Sequence, residues 1–217
     1  VRAPSGGGQP VTSCGDGIIQ QPNAAGTNEE CDDGPSGSPQ CTTSCALNYY
    51  RVFATSTNNF NGNLGTITGA DNNCELLGPN DGTGVWRAWV SAPGSDAGTR
   101  LNPTNPANGG RDLPYRLTDG TTIVIDNWAD LTTANPNYLD NGIDKDESGN
   151  PVTGAVWTGT TTAGVVAASH CLGWTSSNPG DNGYYGGVGQ IDNIWTQWGQ
   201  IGCNFDTFRL YCFEQPA

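Results

Sequence analysis

The side chains best suited to chemistry in this sequence are the carboxylates of an acidic loop at residues 140–150. Asp144, Asp146 and Ser148 match positions 1, 3 and 5 of an EF-hand-type calcium loop, and a glycine follows where that loop turns sharply. Asp140 precedes them, but an alanine occupies position 12, where a bidentate glutamate is needed. We predict half of a calcium site here, completed by a distant carboxylate; the alternative is a solvated acidic loop.

A second group of candidate calcium ligands lies nearer the start of the chain. Asp16, Asp32 and Asp33 stand among four cysteines within residues 14–45. Hard oxygen ligands suit Ca²⁺. Aspartate followed by glycine is also a strong turn signal, so the same residues are equally well interpreted as turn formers.

Nothing in the sequence combines a nucleophile with a base. The chain has one histidine, His170, beside Cys171, and it lacks a G-x-S-x-G motif. If all eight cysteines pair, no thiol is left for nucleophilic catalysis. We therefore predict a protein that is not an enzyme. A secreted hydrolase with an unrecognised carboxylate pair is kept as the second alternative.

Aromatic residues near the end of the chain are candidates for ligand contact. A stretch poor in apolar residues, between Cys171 and Cys203, predicts a long loop. Exposed aromatic side chains flanked by Asn and Asp suit contact with carbohydrate or protein. The candidate contact residues are Tyr184, Tyr185, Trp195 and Trp198. The four tryptophans earlier in the chain occupy strand-like positions and are expected in the core.

Composition limits the class of partner. The chain has 217 residues, 21 acidic against 8 basic, and a formal net charge of −13. An acidic chain without a basic stripe repels phosphate, so we expect no nucleic-acid partner and no docking to anionic membranes. No segment is apolar for long enough to predict a transmembrane span.

The cysteine count indicates the compartment. Eight cysteines, with no Cys-x-x-Cys pair and no Cys/His cluster, predict four disulfides rather than zinc. The chain is thus expected to be secreted, extracellular or on a cell surface. A start at Val1 is compatible with a mature end after signal removal or with a fragment of a longer chain.

The chain is predicted to have three parts. Residues 1–13 form a Gly/Pro/Ser-rich arm, interpreted as a flexible linker or as an arm that orders against a neighbouring subunit. Residues 14–48 form a small disulfide-rich module, and residues 49–217 form the main domain. The four cysteines Cys14, Cys31, Cys41 and Cys45 are expected to pair among themselves, and the sequence does not choose among the three possible pairings.

Alternating apolar residues predict the first strands of the main domain. Residues 50–55 and 85–90 are predicted strands, and residues 115–117 and 121–125 a hairpin across Asp119-Gly120. Residues 155–159 form another short strand. A short helix is predicted to begin at Asp71 and to end before Gly78-Pro79. The apolar residues around Cys212 predict a central buried strand.

Two resemblances add to this interpretation. C-G-D-G and E-C-D-D-G within Cys14–Cys45 resemble the myxobacterial-type cysteine-rich repeat of secreted proteins. In residues 49–215, N-G-N-L-G-T-I-T-G-A-D-N-N-C, A-V-W-T-G-T, H-C-L-G-W-T-S and F-R-L-Y-C-F-E-Q stand in an order similar to that of the bacterial secreted domain of unknown function related to endostatin.

The second resemblance has consequences for fold and site. It implies an α+β, C-type-lectin-like or endostatin-like domain with few short helices and much loop. It also implies that Cys74 pairs with Cys212 and Cys171 with Cys203. The E-P-N, Q-P-D and W-N-D triplets of calcium-dependent sugar-binding lectins of this fold are missing from the main domain.

Together these observations predict a secreted, non-enzymatic, structural or adhesive protein that acts through protein contacts. A subunit of a homopolymeric filament is one form of this hypothesis. The alternative is a carbohydrate-binding module that recognises cell-surface glycans through the 171–203 loop. Calcium is the one cofactor expected.

Overall fold

A computed structural model describes residues 13–26, 28–38, 40–82, 84–133 and 138–216. The chain divides into two compact units, with the boundary between Tyr49 and Tyr50. The predicted class is confirmed: the structure is mixed α+β, with short helices and with sheets of five and three strands. Apart from Ser13, the predicted N-terminal arm lies outside the described residues.

The larger sheet lies in the second unit and has five strands in the order β2-β8-β1-β3-β4. Only the β1–β3 pair is parallel. Its strands are β1 (Tyr50–Ala54), β2 (Gly84–Ala88), β3 (Tyr115–Leu117), β4 (Ile123–Ile125) and β8 (Tyr211–Pro216).

The strand around Cys212 is an inner strand of this sheet, as its apolar sequence predicted. Strand β8 pairs with β1 through Val52 and Phe213 and with β2 through Ala88 and Cys212. Successive side chains point to opposite faces of a strand. Phe213 therefore joins the hydrophobic cluster on one face of the sheet, and Cys212 joins the cluster on the other.

Two strands of the smaller sheet lie within the 171–203 segment that was predicted as a long loop, so that prediction was wrong for these residues. The sheet has the order β5-β6-β7, all antiparallel, with β5 (Ala155–Trp157), β6 (Asn182–Gly187) and β7 (Gly199–Gly202). Strands β6 and β7 are rich in glycine, which has no side chain, so the sequence lacks the alternation of apolar and polar residues that predicts a strand. A Cβ atom at Gly186 would lie 2.0 Å from the carbonyl oxygen of Trp195, so the sheet needs glycine there.

Helix α1 (Thr66–Leu77) begins five residues before the Asp71 start that the sequence predicted. Asp71 does not cap the helix. Its carboxylate instead accepts a hydrogen bond from the backbone of Ala88 and forms an ion pair with Arg100 at 2.9 Å. The other helical segments are short: α2 (Ala97–Arg100) and 3-10 turns at Pro106–Asn108, Trp128–Thr132 and Asn193–Trp195.

Four consecutive residues, Cys171–Trp174, form a turn of left-handed helix, which we call the left-handed turn. Their φ angles are 49°, 55°, 70° and 66°, and only Gly173 among them is glycine. Each non-glycine residue in this conformation costs about 1–2 kcal/mol. His170 closes the turn, since its Nδ1 accepts a hydrogen bond from the Gly173 amide at 2.8 Å.

All eight cysteines form disulfides, and each bond lies within one unit. Cys14 pairs with Cys45 and Cys31 with Cys41, which chooses one of the three pairings left open by the sequence. In the second unit Cys74 pairs with Cys212 and Cys171 with Cys203, the pairs that the resemblance implied. Within the described ranges, no helix is both long enough and apolar enough to cross a membrane.

Candidate binding site

One tryptophan of seven is exposed, and it marks an open groove on the smaller sheet. Trp198 is 52% exposed, whereas the other six are at most 5% exposed. The groove, about 640 Å³ in volume, has an apolar wall and a polar rim. We call it the aromatic groove; its wall includes Tyr185, Trp198, Ile201, Phe205 and Phe208, and its rim Thr153, Gln190 and Thr207.

Strand β6 positions Tyr185, with a glycine beside it. Tyr185 lies opposite Gly199 in the β6–β7 register. A Cβ atom at Gly199 would lie 3.4 Å from Cε1 of Tyr185, so the phenol ring covers the backbone of the neighbouring strand. An aromatic ring over a cross-strand glycine supplies the packing that the glycine lacks.

Trp198 is held by both its backbone and its ring. Its amide donates a 2.8 Å hydrogen bond to the carbonyl oxygen of Tyr185. The indole lies over Gly187, where a Cβ atom would be 2.9 Å from Cε3 of the ring. Gly187 is fixed in turn, because the buried Tyr211 hydroxyl donates to its carbonyl oxygen at 2.8 Å. The indole therefore rests on a backbone that is anchored to the core.

A row of aromatic rings connects the core to this surface. The ring centroids are 4.4 Å apart for Trp157 and Phe208, 5.3 Å for Phe208 and Tyr185, and 5.8 Å for Tyr185 and Trp198. All three pairs are tilted, as aromatic rings prefer. Trp157 is fully buried, so the exposed end of the row is supported by closely packed side chains.

A disulfide restrains the segment that brings Phe205 to the groove. Phe205 is 45% exposed and follows Cys203, which is bonded to Cys171. The Phe205 amide donates to the carbonyl oxygen of Gly202 at 3.2 Å, which closes a turn at the end of β7. The bridge to the left-handed turn thus holds the segment that carries this phenylalanine.

The aromatic groove carries no charge. None of the residues that line it is acidic or basic, although the chain as a whole has a formal charge of −13. Its polar groups are hydroxyls and amides, chiefly those of Thr153, Gln190 and Thr207. Such a surface can stack on and hydrogen-bond a neutral ligand, but it offers no counter-charge to an ion.

Two of the four predicted contact residues lie in the groove. Tyr185 and Trp198 line it, but Tyr184 is the next residue along β6 and faces the other side of the sheet. Trp195 is fully buried, which corrects its prediction as a contact residue. Its ring packs 5.0 Å from that of Trp89 and 5.9 Å from that of Tyr211.

Sequence reasoning missed the two phenylalanines of the groove. Phe205 follows Cys203 in a segment to which no element was assigned, and Phe208 begins the F-R-L-Y-C-F-E-Q motif, in which the strand around Cys212 was predicted but no contact residue. Their closeness in the sequence to Cys203 was the one feature that could have suggested a place beside the predicted contact residues. It could not show that Phe205 is exposed while Phe208 is 7% exposed and faces Trp157.

The predicted calcium loop at 140–150 is a hydrogen-bonded turn built on Asp146. This carboxylate is 5% exposed and accepts hydrogen bonds from the amides of Ser148 at 2.9 Å and Asn150 at 2.8 Å. Asp144 is exposed. Asp140 is exposed as well, and its amide donates to the carbonyl oxygen of Val124 at 2.9 Å. Partial desolvation, together with the nearby Asp126 and Asp130 carboxylates, raises the pKa of Asp140. The structure does not bring Asp140, Asp144 and Asp146 into one cluster among the described residues.

The aspartates of the first unit also serve as turn formers. Desolvation acts to raise the pKa of Asp32, but backbone amides, those of Gly34 and Gly15 among them, outweigh it and lower the pKa. Asp16 accepts the Ile18 amide at 2.9 Å, and Asp33 accepts the Ser38 hydroxyl. These contacts fit the turn interpretation.

One acidic pair in the first unit was not predicted. Glu29 is 1% exposed, and its carboxylate lies within 4.8 Å of that of Asp32 and of the sulfur of Cys45. That sulfur belongs to the bond with Cys14, so two carboxylates are the potential ligands. Glu29 already accepts hydrogen bonds from the Gln20 amide and the Asn23 side chain, both at 2.9 Å. Calcium binding by this chain stays a prediction.

Residues 57–193 match the family described as a protein of unknown function, DUF1554. The match covers more than half of the chain, so the chain belongs to this family. The matched range includes Tyr185 but ends before Trp198 and Phe205. No curated protein matches the chain.

Proposed function

We propose that this protein is an extracellular, non-enzymatic binding protein that acts by contact through the aromatic groove. The observation that carries the proposal is the exposure of Trp198, which ends a packed row of rings through half-buried Tyr185, and of Phe205, which lines the same groove. Large apolar side chains held rigidly at a surface lose little entropy on binding, which favours recognition.

Two further observations support an extracellular and non-enzymatic role. Four disulfides that use all eight cysteines fit an oxidising, extracellular environment. The lining of the groove offers no carboxylate, imidazole or thiol for acid–base or nucleophilic catalysis. Binding without conversion is therefore the function that this lining supports.

We also propose the C-type-lectin-like, endostatin-like relationship for the second unit. Two features support it. The Cys74–Cys212 bond joins the first helix to the last strand, and the Cys171–Cys203 bond closes the segment that contains β6 and β7. An experimental structure of the second unit, superposed on such domains, tests this proposal. A different strand order would contradict it.

A test of the groove needs two variants and a matched control. Trp198→Ala and Tyr185→Ala remove the two adjacent rings, whereas Tyr184→Ala removes a half-buried tyrosine from the opposite face of β6. Retention of each folded protein is measured on immobilised polysaccharides and extracellular-matrix proteins. We expect the wild type and Tyr184→Ala to be retained, and the two groove variants to lose about tenfold or more in affinity.

Thermal melting shows that each variant is folded. Trp198→Ala is the decisive variant, because its ring is half exposed and contributes less to the core than Tyr185 does. Equal retention of the wild type and Trp198→Ala would contradict the proposal.

A filament subunit is the alternative form of a contact function. One observation favours it: β7 is an outer strand of the smaller sheet, and an outer strand can pair with another chain. The arm at residues 1–13 was the other predicted assembly element. Electron microscopy of the wild-type chain decides between the two forms, and monomers at all concentrations would contradict the filament.

A further inference from the structure

We infer that the aromatic groove takes an uncharged carbohydrate chain. This inference rests on the proposed function and specifies its ligand class. It is drawn from the charge, the ring arrangement and the polar rim of the groove.

The charge of the groove argues against charged ligands. The lining has neither acidic nor basic side chains, and Arg209, which donates to the carbonyl oxygen of the lining residue Thr153 at 3.0 Å, also donates to the carbonyl oxygens of Thr55 and Ser56. The groove is therefore poorly suited to a charged peptide or to a sulfated or uronic sugar. Asp206, which is exposed, lies in the chain between the lining residues Phe205 and Thr207. This carboxylate and the formal charge of −13 repel anionic polymers.

The rings suit the apolar faces of sugars. Tyr185 and Trp198 are adjacent and inclined at 44°, with centroids 5.8 Å apart. A sugar ring has one or more faces of C–H groups, which can pack on an aromatic face, while its hydroxyls point outward. Two neighbouring rings therefore form a platform for consecutive sugar units, and Phe205 adds a further exposed aromatic side chain to the same groove.

The rim suits the edges of sugars. Gln190 supplies an amide, and Thr153 and Thr207 supply exposed hydroxyls, so donors and acceptors surround the apolar wall. The volume of about 640 Å³ lies within the roughly 300–1,000 Å³ of typical ligand sites. An apolar centre with a few neutral polar groups at its edge matches a ligand that is itself apolar on its faces and polar at its edges.

The exposure of a single tryptophan supplies a direct experiment. Acrylamide quenches exposed indoles, and Trp198 is the one tryptophan of seven that is more than 5% exposed. The full chain is titrated with neutral gluco-, manno- and chito-oligosaccharides, with heparin and with gelatin. We expect a neutral oligosaccharide to protect Trp198 from quenching and heparin to give no protection.

Three variants link the signal to the groove. Trp198→Phe keeps an aromatic face, so calorimetry should show that this variant still binds the sugar. Its fluorescence should no longer contain the part that acrylamide quenches. Tyr185→Ala should weaken binding about tenfold or more, and Tyr184→Ala should leave it unchanged. A neutral sugar that binds equally well to Tyr185→Ala and the wild type would overturn the inference.

The outcomes separate this inference from the proposed function. Protection of Trp198 by gelatin or heparin, and by none of the neutral oligosaccharides, would overturn the carbohydrate assignment and leave a contact function through the groove. Protection by none of these probes, joined by unchanged retention of Trp198→Ala on every immobilised ligand, would overturn both.

Discussion

The ion pair between Arg51 and Glu214 shows how individual side chains hold the neighbouring strands β1 and β8 of the larger sheet together. The Arg51 guanidinium donates two 2.9 Å hydrogen bonds to the Glu214 carboxylate and lies 5.3 Å from the centre of the Trp86 ring. Hydrogen bonding to Glu214 raises the pKa of Arg51, although burial opposes it. Glu214 is 4% exposed, so its charge depends on this pair for compensation.

Replacing Glu214 by Gln should therefore destabilise the second unit. The substitution leaves the guanidinium beside a neutral amide, and we expect the free energy of unfolding to fall by about 2–3 kcal/mol. Asp81→Asn is the control, because the Asp81 side chain is 43% exposed and its pair with Arg51 should contribute about 0.5 kcal/mol. Urea denaturation measures both; equal losses would contradict the assigned roles.

Residue-level burial was the least predictable property of this sequence. Trp195 and Trp198 are three residues apart in W-T-Q-W, yet one is fully buried and the other half exposed. The difference depends on Trp89, which is more than 100 positions earlier and donates its indole N–H to Thr196 at 2.8 Å. The local sequence pattern carries no information about a contact between residues so far apart. The sequence therefore predicted a group of aromatic contact residues but could not show which of them are exposed.

The left-handed turn holds three non-glycine residues in an unfavourable backbone conformation, and several contacts restrain it. The Trp174 indole donates to the carbonyl oxygen of Ser91 at 2.8 Å, and Cys171 is fixed by its disulfide. These contacts offset the cost of three non-glycine residues in a left-handed conformation. Through the disulfide, the left-handed turn restrains the segment after β7 that carries Phe205.

Gly173→Ala isolates the backbone cost of this turn. A Cβ atom at Gly173 would meet no atom within 4 Å, so strain at φ 70° is the sole penalty, and we expect a loss of about 1–2 kcal/mol. Gly180→Ala is the control. Its φ lies outside the left-handed region and its closest contact would be an ordinary 3.4 Å, so it should change stability by less than about 0.5 kcal/mol. Thermal melting compares the two, and equal shifts would show that the turn is unstrained.

Elements with apolar alternation were predictable, and elements built on glycine were not. Strands β1, β3 and β4 carry the Val, Ile, Leu and Tyr pattern that marks a strand, and they form where expected. Strands β6 and β7 contain Gly183, Gly186, Gly187, Gly199 and Gly202. Their structure is determined by close approaches to Trp157, Trp195 and Trp198, which only the folded chain brings together.

For the whole molecule, the long disulfide matters most. Cys74 and Cys212 are 138 positions apart, and their bond closes most of the second unit into one loop. Replacing both by Ala should lower the free energy of unfolding of this unit by about 4–5 kcal/mol, chiefly because the unfolded chain gains freedom. Calorimetry of the full chain measures the change. Cys31→Ala/Cys41→Ala is the control, since that loop spans 10 positions in the other unit and the transition of the second unit should not shift.

The same bond has a mechanical consequence. Strands β1 and β8 are antiparallel neighbours, so Tyr50 at the start of one and Pro216 at the end of the other lie at the same end of the strand pair. A force applied between these residues would peel the two strands apart one hydrogen bond at a time. Peeling from Pro216 must stop at Cys212, where tension passes through a covalent bond into α1. The pairing of Phe53 with Cys212 and of Ala54 with Tyr211 is therefore shielded from this force as long as the disulfide and α1 hold.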